Sequence, residues 1–165
     1  KFKKPSVLAN KEFGDITSDD HKKEGKWMVI FWYPKDFTFI CPTEIIEFNN
    51  QHDKFVELSA VLYGASTDTE DVHLAWREND RTLNDLKFPL IADTSKSLSK
   101  KLGILQPSKV AYRATFIVDP DGIIQWININ NDNTGRNIAE VLRALEATQN
   151  VEKTPCNWVP GQATL

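Results

Sequence analysis

Two cysteines in 165 residues, Cys41 and Cys156, are too few for the disulfide framework that staples small secreted domains. No C-x-x-C occurs, and His21, His52 and His73 are scattered, so a zinc site has no support in the spacing. Neither G-x-G-x-x-G nor G-x-x-x-x-G-K-[ST] is present, which removes the usual signatures of nucleotide binding. No apolar run approaches the roughly 18 residues of a membrane span, and the N-terminal KFKKPSVLANKEF is interrupted too early for a signal-peptide core. The expectation is a cytoplasmic protein. Positive charge is also in short supply: Lys and Arg total 20 against 23 Asp and Glu, a net charge of -3 that gives no reason to expect nucleic acid or an anionic membrane as partner.

What is present describes an ordinary globular domain, 41% hydrophobic and 26% charged, long enough to bury roughly 70% of the surface its unfolded chain exposes. Trp27 to Tyr33 (WMVIFWY) is a continuous β-branched and aromatic run, as expected of a central strand buried on both faces. From Cys41 onward Ile45, Phe48, Phe55 and Leu58 fall near helical spacing, and Pro42 suits a first turn. Ala60 to Thr67 reads as a second strand, followed by a helix starting near Asp68 to Glu70. Phe88 to Asp93 (FPLIAD) reads as a third, short strand. Thr94 is positioned to cap the next helix, which Gly103 stops. Thr115 to Val118 and Ile123 to Ile129 flank DPDG, a turn that makes them a hairpin. The last helix carries Ile138, Val141, Leu142 and Leu145 as one stripe. Alternating strands and helices followed by a hairpin predict an α/β fold with a central mixed sheet. Residues 1–150 form this domain, and Val151 to Leu165, without periodicity, form an extended C-terminal arm.

The chemistry concentrates in FWYPKDFTFICPTE, Phe31 to Glu44. Free cysteine is commonly a buried core residue, but Cys41 stands at a helix start, where unpaired N–H groups and the positive end of the helix dipole favour a thiolate. Thr38 can bring a hydroxyl beside the sulfur, and Pro34 and Pro42 shape a rigid pocket. A thioredoxin-type dithiol is excluded, because Glu44 occupies the position where the second cysteine would stand. Each histidine reads as a surface or core residue, and DPDG as a turn rather than part of a calcium loop.

The pattern P-x-x-x-T-x-x-C, formed by Pro34, Thr38 and Cys41, resembles the active-site signature of the peroxiredoxins. The wider block is similar to the typical two-cysteine subgroup, in particular the bacterial alkyl hydroperoxide reductases of the C type. STDTEDVHLAW (Ser66 to Trp76), YRATFIVDPDGIIQ (Tyr112 to Gln125) and TPCNWVPGQATL (Thr154 to Leu165) match it in the same order, so the resemblance spans nearly the whole chain. It implies a thioredoxin-like fold and a peroxidase without metal, haem or flavin of its own. Cys41 would attack the peroxide and become a sulfenic acid. Arg113 would keep the sulfur ionised and stabilise the leaving oxygen, Thr38 would hydrogen-bond peroxide and sulfur, and Pro34 would shield the site from water. Cys156 would be the resolving cysteine, supplied by the partner of an antiparallel homodimer with Ile123 to Asn130 as its edge. Such dimers assemble into a ring such as a decamer. A disulfide reductase, either a flavoprotein or a thioredoxin-like protein, would restore the thiols. The absence of any glycine between Trp76 and Pro89 implies resistance to overoxidation.

Overall fold

The computed structural model describes residues 1–165. The chain runs through β1 (Lys3–Val7), β2 (Phe13–Thr17), α1 (Asp20–Lys23), β3 (Trp27–Trp32), α2 (Ile40–Asn50), α3 (His52–Glu57), β4 (Ala60–Ser66) and α4 (Glu70–Asn79). It continues through β5 (Leu90–Ala92), α5 (Ser97–Lys101), β6 (Arg113–Val118), β7 (Ile124–Asn130) and α6 (Ile138–Gln149). One seven-stranded sheet takes the order β2-β1-β5-β4-β3-β6-β7. The β3–β4 and β4–β5 pairs are parallel and the others antiparallel, which gives the expected mixed sheet.

Helices on both faces explain why β3 is apolar throughout. Val29, Phe31 and Tyr33 enter a core cluster with Cys41, Ile45 and Phe48 of α2 and Val141 and Leu145 of α6. Met28, Ile30 and Trp32, on the other face, pack with Leu98, Ile104, Phe116 and Val118. Phe31 stacks on Phe48 at 4.0 Å between ring centroids, a pairing worth about 1 kcal/mol beyond the area it buries. This stack fixes α2 against the central strand and thereby fixes the depth of Cys41.

Several local expectations hold. Helix α4 starts at Glu70, within the expected Asp68 to Glu70, with Thr69 accepting from the Val72 amide as its cap, and Gly103, at φ +74, ends α5 with its own N–H bonded to the Lys100 carbonyl. The DPDG turn closes the β6–β7 hairpin through Gly122 N–H donating to Asp119 O at 2.9 Å. Two need correction. The helix expected to run unbroken from Cys41 to Leu58 divides at Gln51, after Asn49 and Asn50, whose amide side chains bond locally or to the neighbouring loop. Thr94 does not cap α5. The buried Asp93 carboxylate does so, accepting from the Leu98 and Ser99 amides at 3.3 and 2.8 Å.

The N-terminal hairpin β1–β2 had no sequence signal. Pro5 interrupts one strand and Gly14 and Asp15 the other. It is held from outside: Lys4 reaches Asp93 at 2.7 Å and the hydroxyls of Ser95 and Ser97, far along the chain. Residues 151–165 form no helix or strand, and their anchor is the buried Trp158, whose indole N–H donates to Gln162 O while its own carbonyl accepts from Arg143.

Candidate active site

Cys41 is the second residue of α2 and is fully buried. Phe39, before the helix, has no side-chain oxygen to satisfy the first amides, and Pro42 has no N–H to offer. The electropositive end of the helix is therefore uncapped where the sulfur sits. Arg113 begins β6 beside β3 and places Nη1 3.2 Å from Cys41 Sγ. The same nitrogen donates to Glu44 Oε1 at 2.6 Å, and Nε is held by the Asp132 carbonyl at 2.9 Å. Two contacts thus fix the guanidinium while it faces the thiol.

Glu44 follows Cys41 by three residues, which puts both on one face of α2. Its second oxygen takes Arg136 through Nε at 2.7 Å and through the backbone N–H at 2.9 Å. Arg136 also donates to Trp32 O at 2.6 Å and Ala114 O at 2.9 Å, and its guanidinium lies 5.3 Å from the Phe31 ring centroid. Burial alone would push the Glu44 carboxyl up, but the bonds and charge of Arg136, with the charge of Arg113, outweigh it and hold the carboxyl below its ordinary range. Burial likewise opposes the charge on Arg113, yet its bond to Cys41 and the neighbouring Glu44 hold it more firmly protonated. Two guanidiniums against one carboxylate leave one uncompensated positive charge, and the sulfur is the group beside it. This arrangement suits a sulfur nucleophile that carries negative charge and passes it to a departing oxygen.

The other expected residues divide. Pro34 is buried at the end of β3. The Thr38 hydroxyl donates to Lys35 O at 3.0 Å and makes no hydrogen bond to Sγ, which corrects the expected contact. The local turn claims its one proton. Cys156 is exposed in the arm, and both cysteines are free. Glu44 and Arg136 were missed as site residues. The three-residue spacing from Cys41 could have flagged Glu44, whereas nothing in TGRN marks Arg136.

A second buried network holds the loop before Cys41. Tyr33 OH donates to Asp36 Oδ1 at 2.7 Å, Asp36 Oδ2 meets His73 Nδ1 at 2.5 Å, and His73 Nε2 donates to Ile91 O at 3.0 Å. The Asp36 N–H donates to Asp68 Oδ2 at 2.8 Å, which also accepts from Ser66. Burial pushes the Asp36 carboxyl up, and the same carboxylate raises His73 despite the opposing effect of its burial. His73 is thus a satisfied core residue, and the network is a tether for the loop.

Residues 1–127 match the AhpC/TSA family. The chain is 46% identical over 93% of its length to alkyl hydroperoxide reductase C of Mycobacterium tuberculosis, covering 77% of that protein. It is 44% identical over its whole length to a putative peroxiredoxin, YkuU, of Bacillus subtilis, covering 94% of it. Among solved structures it is similar to the reduced 2-Cys peroxiredoxin of Plasmodium vivax, with a TM-score of 0.92 and 34% identity over 99% of this chain and 88% of that one.

Proposed function

The chain belongs to the AhpC/TSA family of thiol-dependent peroxidases, with the thioredoxin-like fold of the peroxiredoxins, and from that premise we propose which residues carry the reaction. Cys41 is the peroxidatic sulfur. Its lone pair attacks one peroxide oxygen, the O–O bond breaks, and the departing alkoxide or hydroxide takes up a proton to leave as alcohol or water. Sulfur gives up two electrons and becomes a sulfenic acid. Arg113 stabilises charge on the departing oxygen, Glu44 and Arg136 hold Arg113 in place, Pro34 keeps the pocket dry, and the Thr38 oxygen, its own proton given to Lys35 O, accepts from the incoming peroxide and orients it. The observation that carries this reading is the 3.2 Å contact between Arg113 and Sγ at an uncapped helix start.

The second half of the cycle uses Cys156. Its thiolate attacks the sulfenic sulfur, a disulfide forms, and the hydroxyl departs as water. Residues 151–165 act as a separate arm that delivers this thiol to a partner subunit. The β7 edge, with Ile127 and Ile129 exposed, joins two chains into an antiparallel dimer, and such dimers close into a ring. A disulfide reductase, flavoprotein or thioredoxin-like, returns both thiols. No helix is long and apolar enough to cross a membrane, and the proposed location is the cytoplasm.

One equivalent of hydrogen peroxide added to reduced protein tests the assignment by non-reducing electrophoresis. Wild type should convert to covalent dimers that dithiothreitol reverses. Cys156→Ser should stay monomeric with one sulfenic acid at Cys41, and Cys41→Ser should consume no peroxide. A monomeric oxidised wild type with Cys41 and Cys156 joined in one chain would reassign the resolving step.

A further inference from the structure

A cavity of about 370 Å³ lies on the other face of the sheet from Cys41, within the size range of small-molecule sites. Alternation along β3 separates the two: Val29 and Phe31 face the cluster holding Cys41, whereas Met28 and Ile30, with Phe116 and Val118, line the cavity. Most of its lining is hydrophobic, so a fully polar ligand would leave much of the wall unpaired. Its charged lining is wholly basic. Lys1, Lys22 and Lys101 contribute and no acidic residue does, in a chain whose net charge is -3. Lys101 has no ion pair, and Lys22 has only a 3.5 Å contact to Asp19 at the surface. The Lys22 side chain lies across Gly122, where a Cβ would collide with it, so the glycine leaves room for the ammonium at the cavity wall. His21, also in the wall, donates from Nδ1 to Lys26 O at 2.8 Å and leaves a buried Nε2 without a partner.

We propose that this cavity binds an anionic amphiphile, a medium-chain carboxylate, whose tail lies on Met28, Ile30, Phe116 and Val118 and whose head group is held by Lys22 and Lys101. An apolar floor with an all-basic charged lining complements a molecule of that build. A neutral hydrocarbon would leave the lysines unused, and inorganic phosphate would leave the floor exposed. The site is independent of the peroxidase assignment, because a full layer of sheet separates it from the sulfur.

Isothermal titration of the full chain in its native assembly with decanoate, decanol and inorganic phosphate tests the proposal. Decanoate should bind saturably, below its micelle concentration, and decanol and phosphate each about tenfold or more weaker. The double variant Lys22→Glu/Lys101→Glu should weaken decanoate by about tenfold or more, since two attractive charges become repulsive. Lys100→Glu, exposed and outside the cavity, should leave decanoate affinity unchanged, as should Cys41→Ser. The proposal is overturned by non-saturable binding, by decanol or phosphate binding as tightly as decanoate, or by an affinity that the double glutamate variant does not move. Loss of binding in Cys41→Ser would place the carboxylate at the peroxide site and overturn it equally.

Discussion

Replacing Arg113 by alanine removes the one cation in hydrogen-bond contact with the sulfur. With Cys41 ionised, a unit charge at the 3.2 Å of the Nη1–Sγ contact interacts by about 5 kcal/mol at an effective dielectric near 20. Only the part that differs between ground state and transition state changes the rate. The negative charge moves from sulfur towards the departing oxygen along the same guanidinium, so much of the attraction is present at both ends of the step. Loss of one preorganised donor facing developing charge costs about 10²–10³ in rate, or about 3–4 kcal/mol. Arg136 does not compensate, because Glu44 and the carbonyls of Trp32 and Ala114 hold its guanidinium. The expected outcome is a second-order rate constant with hydrogen peroxide lowered by about 10²–10³, read by stopped-flow tryptophan fluorescence or competition with a second peroxidase. Arg113→Lys should fall between, since it keeps a charge but loses the fork that serves Sγ, Glu44 and Asp132 together. A rate for Arg113→Ala within about threefold of wild type would refute the assignment of Arg113 to the reaction.

Glu44→Gln strips the charge partner from two buried guanidiniums and should destabilise the fold by about 3–5 kcal/mol at neutral pH, read from denaturant unfolding. Because the native Glu44 carboxyl sits below its ordinary range, its contribution is present above the unfolded pKa of about 4.3 and is lost as pH falls through the lower native value. The gap between wild type and Glu44→Gln should therefore narrow in acid, and a gap independent of pH would contradict the ion-pair account. Ile127→Lys puts a charge on the exposed β7 edge, and sedimentation should show the proposed ring of dimers falling to smaller species while the helical content is unchanged. A ring that persists would move the interface elsewhere.

The features most legible in the sequence were those whose cause is local. An unbroken apolar run is what a strand covered on both faces requires, and β3 proved to be that strand. DPDG carries its turn chemistry within four residues, and Cys41 beside Pro42 marks a helix start without reference to anything distant. The N-terminal hairpin stayed hidden because Lys4, an ordinary surface residue by composition, is buried through Asp93, a partner nearly ninety positions away. Arg136 stayed hidden for the same reason: its value lies in converging on Glu44, Trp32 and Ala114 from a loop without periodicity. The Thr38 contact failed in the opposite way. Proximity in sequence suggested a partner for the sulfur, but a carbonyl three residues back competes for the same hydroxyl.

Disulfide formation raises a geometric demand that the resting site does not meet. Bridged cysteines need Cα atoms within about 7 Å, yet Cys41 is fully buried and Cys156 exposed. The segment that moves is delimited by its anchors. On one side the Asp36 carboxylate is fixed by Tyr33 and His73, and on the other Glu44 is fixed by two arginines. Between them Phe37 and Phe39 are exposed, Phe37 adopts φ +58, the helix start lacks a side-chain cap, and Pro42 removes one amide. Within this segment only Cys41 is buried, held by the single Arg113 contact, whereas Ile45 and Phe48 beyond Glu44 are both fully buried. Opening should therefore run from Phe37 to Thr43 and stop at Glu44. Native-state hydrogen exchange of the reduced chain should show the amides of Phe39, Ile40, Cys41 and Thr43 exchanging at least about tenfold faster than amides 45–50. In Glu44→Gln the fast region should extend into the second turn of α2. Uniform protection along α2, or a fast region that ignores the Glu44 substitution, would show that the arginine pair does not set the limit of unwinding, and the whole helix would then have to leave the sheet for Cys156 to reach its target.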